Sequence, residues 1–156
     1  MLDLKWILKY RILNYPKPTE PEVTKIMLSM KGNLFIDIGS NTGWFSRILK
    51  NNFNNIITID ANPKWKANMR IAISNFDGEG VFFIGNNLGS ADSLKNNPYI
   101  LGKDWINIEQ LRVKVCRFDT LKLDADLVKV DVEGSEFDVL EGMKEYVPKK
   151  IVVELH

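Results

Sequence analysis

Residues 34–45 read LFIDIGSNTGWF. An apolar run from Leu34 to Ile38 has the look of a buried strand, interrupted only by Asp37. The chain then turns through Gly39 and Gly43, and Trp44-Phe45 opens a helical pattern. A strand, a tight glycine turn and a helix in this order make the opening unit of an α/β fold. Glycines at 39 and 43 let backbone come close to a ligand, because no side chain intervenes. Asp37 sets a carboxylate at the strand end, where it could hold an ammonium group. A helix starting near Thr42 would offer free N–H donors to a carboxylate. That pair of features suits an amino-acid zwitterion better than a pyrophosphate. The spacing is D-x-G-x-N-x-G, with Ser40 and Asn41 between the glycines, whereas a dinucleotide fingerprint is G-x-G-x-x-G. No Gly-Lys-Ser/Thr run marks a Walker loop.

The rest of the chain alternates in the same manner. Pro16, Pro18 and Pro21 form a stiff connector, and PEVTKIMLSM reads as a helix stopped by Gly32. Strands are expected at 34–38, 55–60, 80–85, 126–132 and 149–155. The stretch RVKVCRF (112–118) alternates as an exposed or edge strand would. Helices are expected over TGWFSRILKN, over PKWKANMRIAISNF and over EFDVLEGM. Residues 86–110 read as a long loop. Together these predict a doubly wound, Rossmann-like, mostly parallel sheet flanked by helices. In such sheets ligands bind at the carboxyl ends of the strands, where strand order reverses.

Two further strand ends carry acids. Asp60 closes the second strand, 21 residues past Gly39. An acid there can accept hydrogen bonds from both ribose hydroxyls, and it can also cap a helix beginning at Pro63. In LVKVDVEGSEFDVLEGM, Asp131, Glu133 and Glu136 fall within six residues. Ser135 is placed to cap the following helix, and Glu136 suits the positive end of its dipole. Asp131 fits that capping reading poorly and faces the expected cleft instead, so it is the first choice for a base or acceptor-orienting group. Lys129 shares its face of the strand, and could act on Asp131 or an acceptor electrostatically, or form a plain salt bridge. His156, the one histidine, could reach the cleft mouth or fray. Oxygen ligands at Asp131, Glu133 and Glu136 could suit a divalent metal, but nothing in the sequence requires one and none is expected.

FIDIGSNTG, ITIDANP, LVKVDVEGSEFDVLEGM and IVVELH, in that order, resemble the FkbM-type methyltransferases over roughly residues 33–156. The resemblance implies a Rossmann-like fold, S-adenosyl-L-methionine as cofactor and methyl transfer to a hydroxyl of a glycan, small molecule or protein. It implies that Asp37, Gly39, Asn41 and Gly43, with Ser40 in the same turn, surround the methionine part. Asp60 would take the ribose, with Ala61 and Asn62 after it. Asn62 and the region of Asn86 and Asn87 would lie near the adenosine, and Asp131 would face the sulfonium and the acceptor. The family usually carries Glu-Pro where this chain has Asp60-Ala61. IVVELH resembles its fifth strand, so the fold is expected to be truncated after the fifth core strand. The bare edge could be covered by a homodimer partner or by the N-terminal helices. A fold shortened in this way could also be a weakly active cofactor-binding subunit or scaffold.

Composition adds bounds. A chain of 156 residues with 45% hydrophobic and 26% charged residues fits one globular domain, 33–156, after an N-terminal helical segment, 1–32, packed on or beside it. The formal net charge of +1 gives no case for nucleic acid. One cysteine, Cys116, and the lack of an apolar run of ~18 residues lead to a cytoplasmic expectation. Leu4, Ile7, Leu8 and Ile12 make the first segment an amphipathic helix, for the core or for a membrane or partner surface. Residues 86–110, with Tyr99 and Trp105, could form a wall over the cleft.

Overall fold

The computed structural model of the chain describes residues 21–85, 92–95 and 108–156. The first amphipathic segment, Asn86, Asn87, Tyr99 and Trp105 lie outside the described residues. The chain divides into two units, Met1–Met30 and Lys31–His156. In the first, helix α1 (Pro21–Ser29) starts on a proline, whose fixed φ and missing N–H suit a first helical turn. The Ser29 hydroxyl donates to the Ile26 carbonyl at its end.

The second unit holds a four-stranded, wholly parallel sheet of β1 (Gly32–Ile38), β2 (Phe53–Ile59), β6 (Leu127–Val130) and β7 (Ile151–Val153), ordered β2-β1-β6-β7. From β1 the chain moves to β2 on one side and later returns to β6 on the other. Strand order therefore reverses between β1 and β6, and that crevice is where such a sheet takes a ligand. A second sheet has the order β3-β5-β4, built from β3 (Ala72–Ser74), β4 (Gly78–Ile84) and β5 (Glu109–Arg117). In it β3 runs parallel to β5, and β4 antiparallel. The expected α/β, mostly parallel, Rossmann-like architecture is what the chain adopts. Between the layers Ile36, Ile38, Ile59, Ile73, Phe118 and Val130 form one buried apolar cluster.

Four local expectations are corrected. No helix forms over 63–76. Asp60 accepts the Asn62 N–H and Asn62 accepts the Lys64 N–H, so side chains take donors a helix would need. Asn68 then locks onto Thr58, and Met69 donates to the Thr58 carbonyl, which draws the chain alongside β2. The stretch at 112–118 is the centre of its sheet, not an edge; its alternation records one buried face. Helix α2 (Trp44–Ile48) is a single short turn rather than ten residues. Gly32 does not stop a helix. It begins β1, where an added methyl would sit 2.7 Å from the Asp126 side chain.

After β5, a short 3-10 helix, Phe118–Leu121, buries Asp119, which accepts the N–H groups of Lys144, Glu145 and Tyr146. Helix α3 (Glu136–Glu141) ends at Gly142, where an added methyl would overlap the Ser74 carbonyl oxygen. This close crossing seats α3 on β3. Among the described residues, no helix is long and apolar enough to cross a membrane.

Candidate active site at the carboxyl ends of β1, β2 and β6

The glycine turn after β1 is set by a backbone crossing. Gly39 has φ +75°, and an added methyl would overlap the Asp131 carbonyl oxygen. Only glycine allows the ends of β1 and β6 to pass this closely. The Gly39 and Ser40 N–H groups both donate to the Ile59 carbonyl, at 2.9 and 3.2 Å, tying the turn to the end of β2. Asn41 and Gly43 also adopt left-handed backbone, at φ +47° and +71°. With α2 so short, the helix terminus itself is not a substantial anion site. The turn's backbone, rather than a helix dipole, shapes this wall.

Asp60 braces two turns at once. One carboxylate oxygen accepts the Asn41 N–H at 2.7 Å and the other the Asn62 N–H at 2.9 Å. Burial raises its pKa, opposed by those two backbone bonds. Each oxygen keeps further acceptor capacity, and Asp60 lines the cleft together with Gly39, Asn41, Ala61, Asp131 and Glu133. The cleft holds about 580 Å³ of empty space, including the part open to solvent. Its far wall is apolar, with Ile71, Ile73, Phe82 and Leu94.

Five of the expected residues stand behind the cleft rather than in its lining. Gly43 caps α2. Asn62 is 1% exposed, donates to Asp92 Oδ2 at 2.5 Å and is thereby held in place. Ser40 is buried, and its hydroxyl has no partner among the described residues. Asp37 is also buried. Its Oδ2 accepts the Ser46 hydroxyl at 2.9 Å, and its Oδ1 has no partner among the described residues. Burial raises the Asp37 pKa, with the Lys129 ammonium opposing. Lys129 itself is buried, 4.9 Å above the Phe45 ring, and donates to Asp131 Oδ2 at 2.6 Å. Residues 129 and 131 share a face, as strand periodicity requires.

Several residues contribute more to the site than their sequence context indicates. Asp92 lies in a stretch with no period, yet it lines the cleft and accepts the Gly85 N–H. Glu133, at φ +53°, is strained into the lining by the turn before α3. Burial pushes its pKa up to about 7, opposed by His156 and reinforced by Asp131, Glu136 and Asp92. His156 does not fray: its ring lies 3.3 Å from Glu136, 3.4 Å from Glu154 and 3.5 Å from Glu133. Burial disfavours its charged form, but these carboxylates outweigh that and raise its pKa. Glu136 is not a surface helix-dipole residue either. It is 1% exposed and accepts the Gly134 N–H at 2.8 Å. Ser135 makes no side-chain cap and instead meets the Ser93 hydroxyl at 3.5 Å.

The site thus combines a glycine turn at the switch point, an acid at each of three strand ends, and one buried lysine. The Methyltransferase FkbM domain model matches residues 37–156, a span that begins at Asp37 and contains every residue of the cleft. No curated protein and no solved structure matches the chain. A glycine turn and strand-end acids in this order, under a family model covering most of the chain, settle its relationship: the chain belongs to the FkbM methyltransferase domain family.

Proposed function

We propose that this methyltransferase takes its methyl group from S-adenosyl-L-methionine and delivers it to a hydroxyl oxygen. The observation that carries the reading is the first turn. Buried there, behind the lining formed by Gly39 and Asn41, are a carboxylate oxygen, Asp37 Oδ1, and a hydroxyl, Ser40 Oγ, neither with a partner among the described residues. Buried polar groups are rarely left without partners, and a ligand ammonium reaching into the turn is the kind of group that would satisfy the carboxylate. The donor set also fits by charge. Asp37, Asp60 and Asp131 suit a ligand that carries an ammonium and a sulfonium, and suit a pyrophosphate badly.

Asp37 and Ser40 would hold the methionine end, with Gly39, Asn41 and Gly43 supplying a backbone wall free of side chains. Asp60 would accept the ribose hydroxyls on the lone pairs that its two backbone bonds leave over. Ala61, Asn62 and Asp92 would border the adenosine, against the apolar wall of Ile71 and Phe82. S-adenosyl-L-methionine, when bound, supplies an electrophilic methyl group on a sulfonium. Asp131 orients the acceptor hydroxyl and accepts its proton, while Lys129 fixes the carboxylate from behind through Oδ2. Positioning of this kind can be worth ~7–11 kcal/mol of barrier, and proton acceptance a further ~10²–10⁴-fold in rate.

The test is transfer of labelled methyl from S-adenosyl-L-methionine to panels of glycans, hydroxylated small molecules and proteins. Asp131→Asn is expected to abolish labelling while S-adenosylhomocysteine still binds. Full labelling by Asp131→Asn would sink its role, and label found on amino nitrogens would sink the hydroxyl assignment.

A further inference from the structure

Asp131, Glu154 and His156 each bring one ligand atom to within 4.8 Å of the other two. The topology explains why. Val130 on β6 pairs with Val153 on β7, so the next residues, Asp131 and Glu154, leave neighbouring parallel strands side by side. Two residues after Glu154, His156 brings its ring to the same place.

Glu136 lies behind that ring. Its buried carboxylate is 3.3 Å from His156 Nδ1. A carboxylate in this position accepts a hydrogen bond from Nδ1–H, and in the neutral ring this tautomer leaves a lone pair on Nε2. Nε2 faces Glu154 Oε1 at 3.4 Å and Glu133 Oε2 at 3.5 Å. A nitrogen lone pair and two carboxylate oxygens at such separations repel unless a cation or a proton lies among them. The wider charge points the same way. Glu133, Glu136 and Glu154 all lie within 3.5 Å of the one imidazole, Asp131 brings an oxygen to within 4.8 Å of it, and Lys129 donates to Asp131 Oδ2.

We propose that Asp131, Glu154 and His156 form a site for one divalent transition-metal ion, with Glu133 beside it and Glu136 orienting the imidazole. One imidazole with carboxylates suits Mn²⁺, Co²⁺ or Zn²⁺ better than the all-oxygen shells of Ca²⁺ and Mg²⁺. Asp131 and Glu133 also line the cleft, so an ion held there would border the space that an acceptor oxygen would enter. That use of the ion rests on the methyl-transfer reading above; the binding of the ion does not.

The experiment uses the full chain, stripped with a chelator and dialysed, with MnCl₂, CoCl₂ or ZnCl₂, and MgCl₂ for comparison, each added alone near neutral pH. Calorimetry is expected to show one ion per chain, and Co²⁺ to give visible absorption bands of mixed nitrogen and oxygen ligation. His156→Gln and Glu154→Gln lose the site. Glu136→Gln retains one weakened by about 10–100-fold. Far-ultraviolet circular dichroism checks that each variant is folded. Three results overturn the site: no stoichiometric binding of any of the three ions, binding unchanged in folded His156→Gln, or binding of Mg²⁺ alone. Thermal shift with S-adenosylhomocysteine, measured on the stripped chain, reports separately on the cofactor reading.

Discussion

Asp126 and Asp37 lie at opposite ends of the same parallel sheet and have opposite surroundings. Asp126 immediately precedes β6, at the amino ends of the strands. It accepts the N–H groups of Asn33 and Leu34 at 2.6 and 3.0 Å and the Lys149 ammonium at 2.6 Å. The Lys149 bond, helped by those backbone donors, holds its pKa down to about 2. Asp37 is near the carboxyl end of β1, fully buried, with one oxygen lacking a partner among the described residues and its pKa raised. One end of the sheet uses its carboxylate to fasten three segments of chain. The other end keeps charge where folding alone gives no reason to keep it. Left-handed backbone gathers at that same end, at Gly39, Asn41, Gly43, Glu133 and Gly134. Strain and buried charge that collect where strand order reverses are the mark of a site shaped for a ligand.

The comparison can be broken from either end, and the largest effects belong to the carboxyl end. Lys129→Met removes the cation that Asp131 and Asp37 share and is expected to lower stability by about 3–5 kcal/mol, read from the denaturant midpoint. A loss below about 1 kcal/mol would mean that the acids there do not depend on it. Gly39→Ala forces a methyl against the Asp131 carbonyl at positive φ and is expected to cost about 3 kcal/mol or more. A well-folded Gly39→Ala chain would contradict the crossing of β1 and β6.

Asp37→Asn should act in the opposite direction. A carboxyl whose folded pKa is raised favours the fold at low pH and opposes it once ionised. Removing the charge should therefore raise the melting temperature of the ligand-free chain near neutral pH, by a few degrees at most. The same variant should lose affinity for S-adenosylhomocysteine. A chain that melts lower and binds as before would reverse the assignment of Asp37 to the ligand.

The smallest effect belongs to Asp126. Its folded pKa is depressed, so its contribution is complete above the unfolded value near 3.8 and fades as pH falls toward about 2. Asp126→Asn is expected to flatten the acid limb of a plot of stability against pH within that window. An unchanged limb would show that the fastening contributes nothing.

The carboxyl-end half of this contrast was legible in the sequence, Asp126 was not, and the unread parts have physical causes. The four strands of the parallel sheet declare themselves because both faces are covered, which makes them nearly continuous apolar runs. Asp37, Asp60 and Asp131 were legible as acids that end such runs. The absent helix over 63–76 was not, because its apolar spacing fits a helix while side-chain bonds from Asp60, Asn62 and Asn68 redirect the backbone. Asp92 sits in a stretch without period. Glu136 reads as an ordinary helix-start acid until tertiary packing buries it. His156 gains its three carboxylate neighbours only because β7 lies beside β6, a pairing that no local pattern encodes.

The most direct test of the central claim is thermal unfolding of the chain with S-adenosyl-L-methionine, S-adenosylhomocysteine or NAD, each alone. A ligand at 100 times its dissociation constant adds ~2.7 kcal/mol, a shift of several degrees for a domain of this size. The account predicts that shift with both sulfur compounds and none with NAD. A shift with NAD alone, or with none of the three, would contradict it.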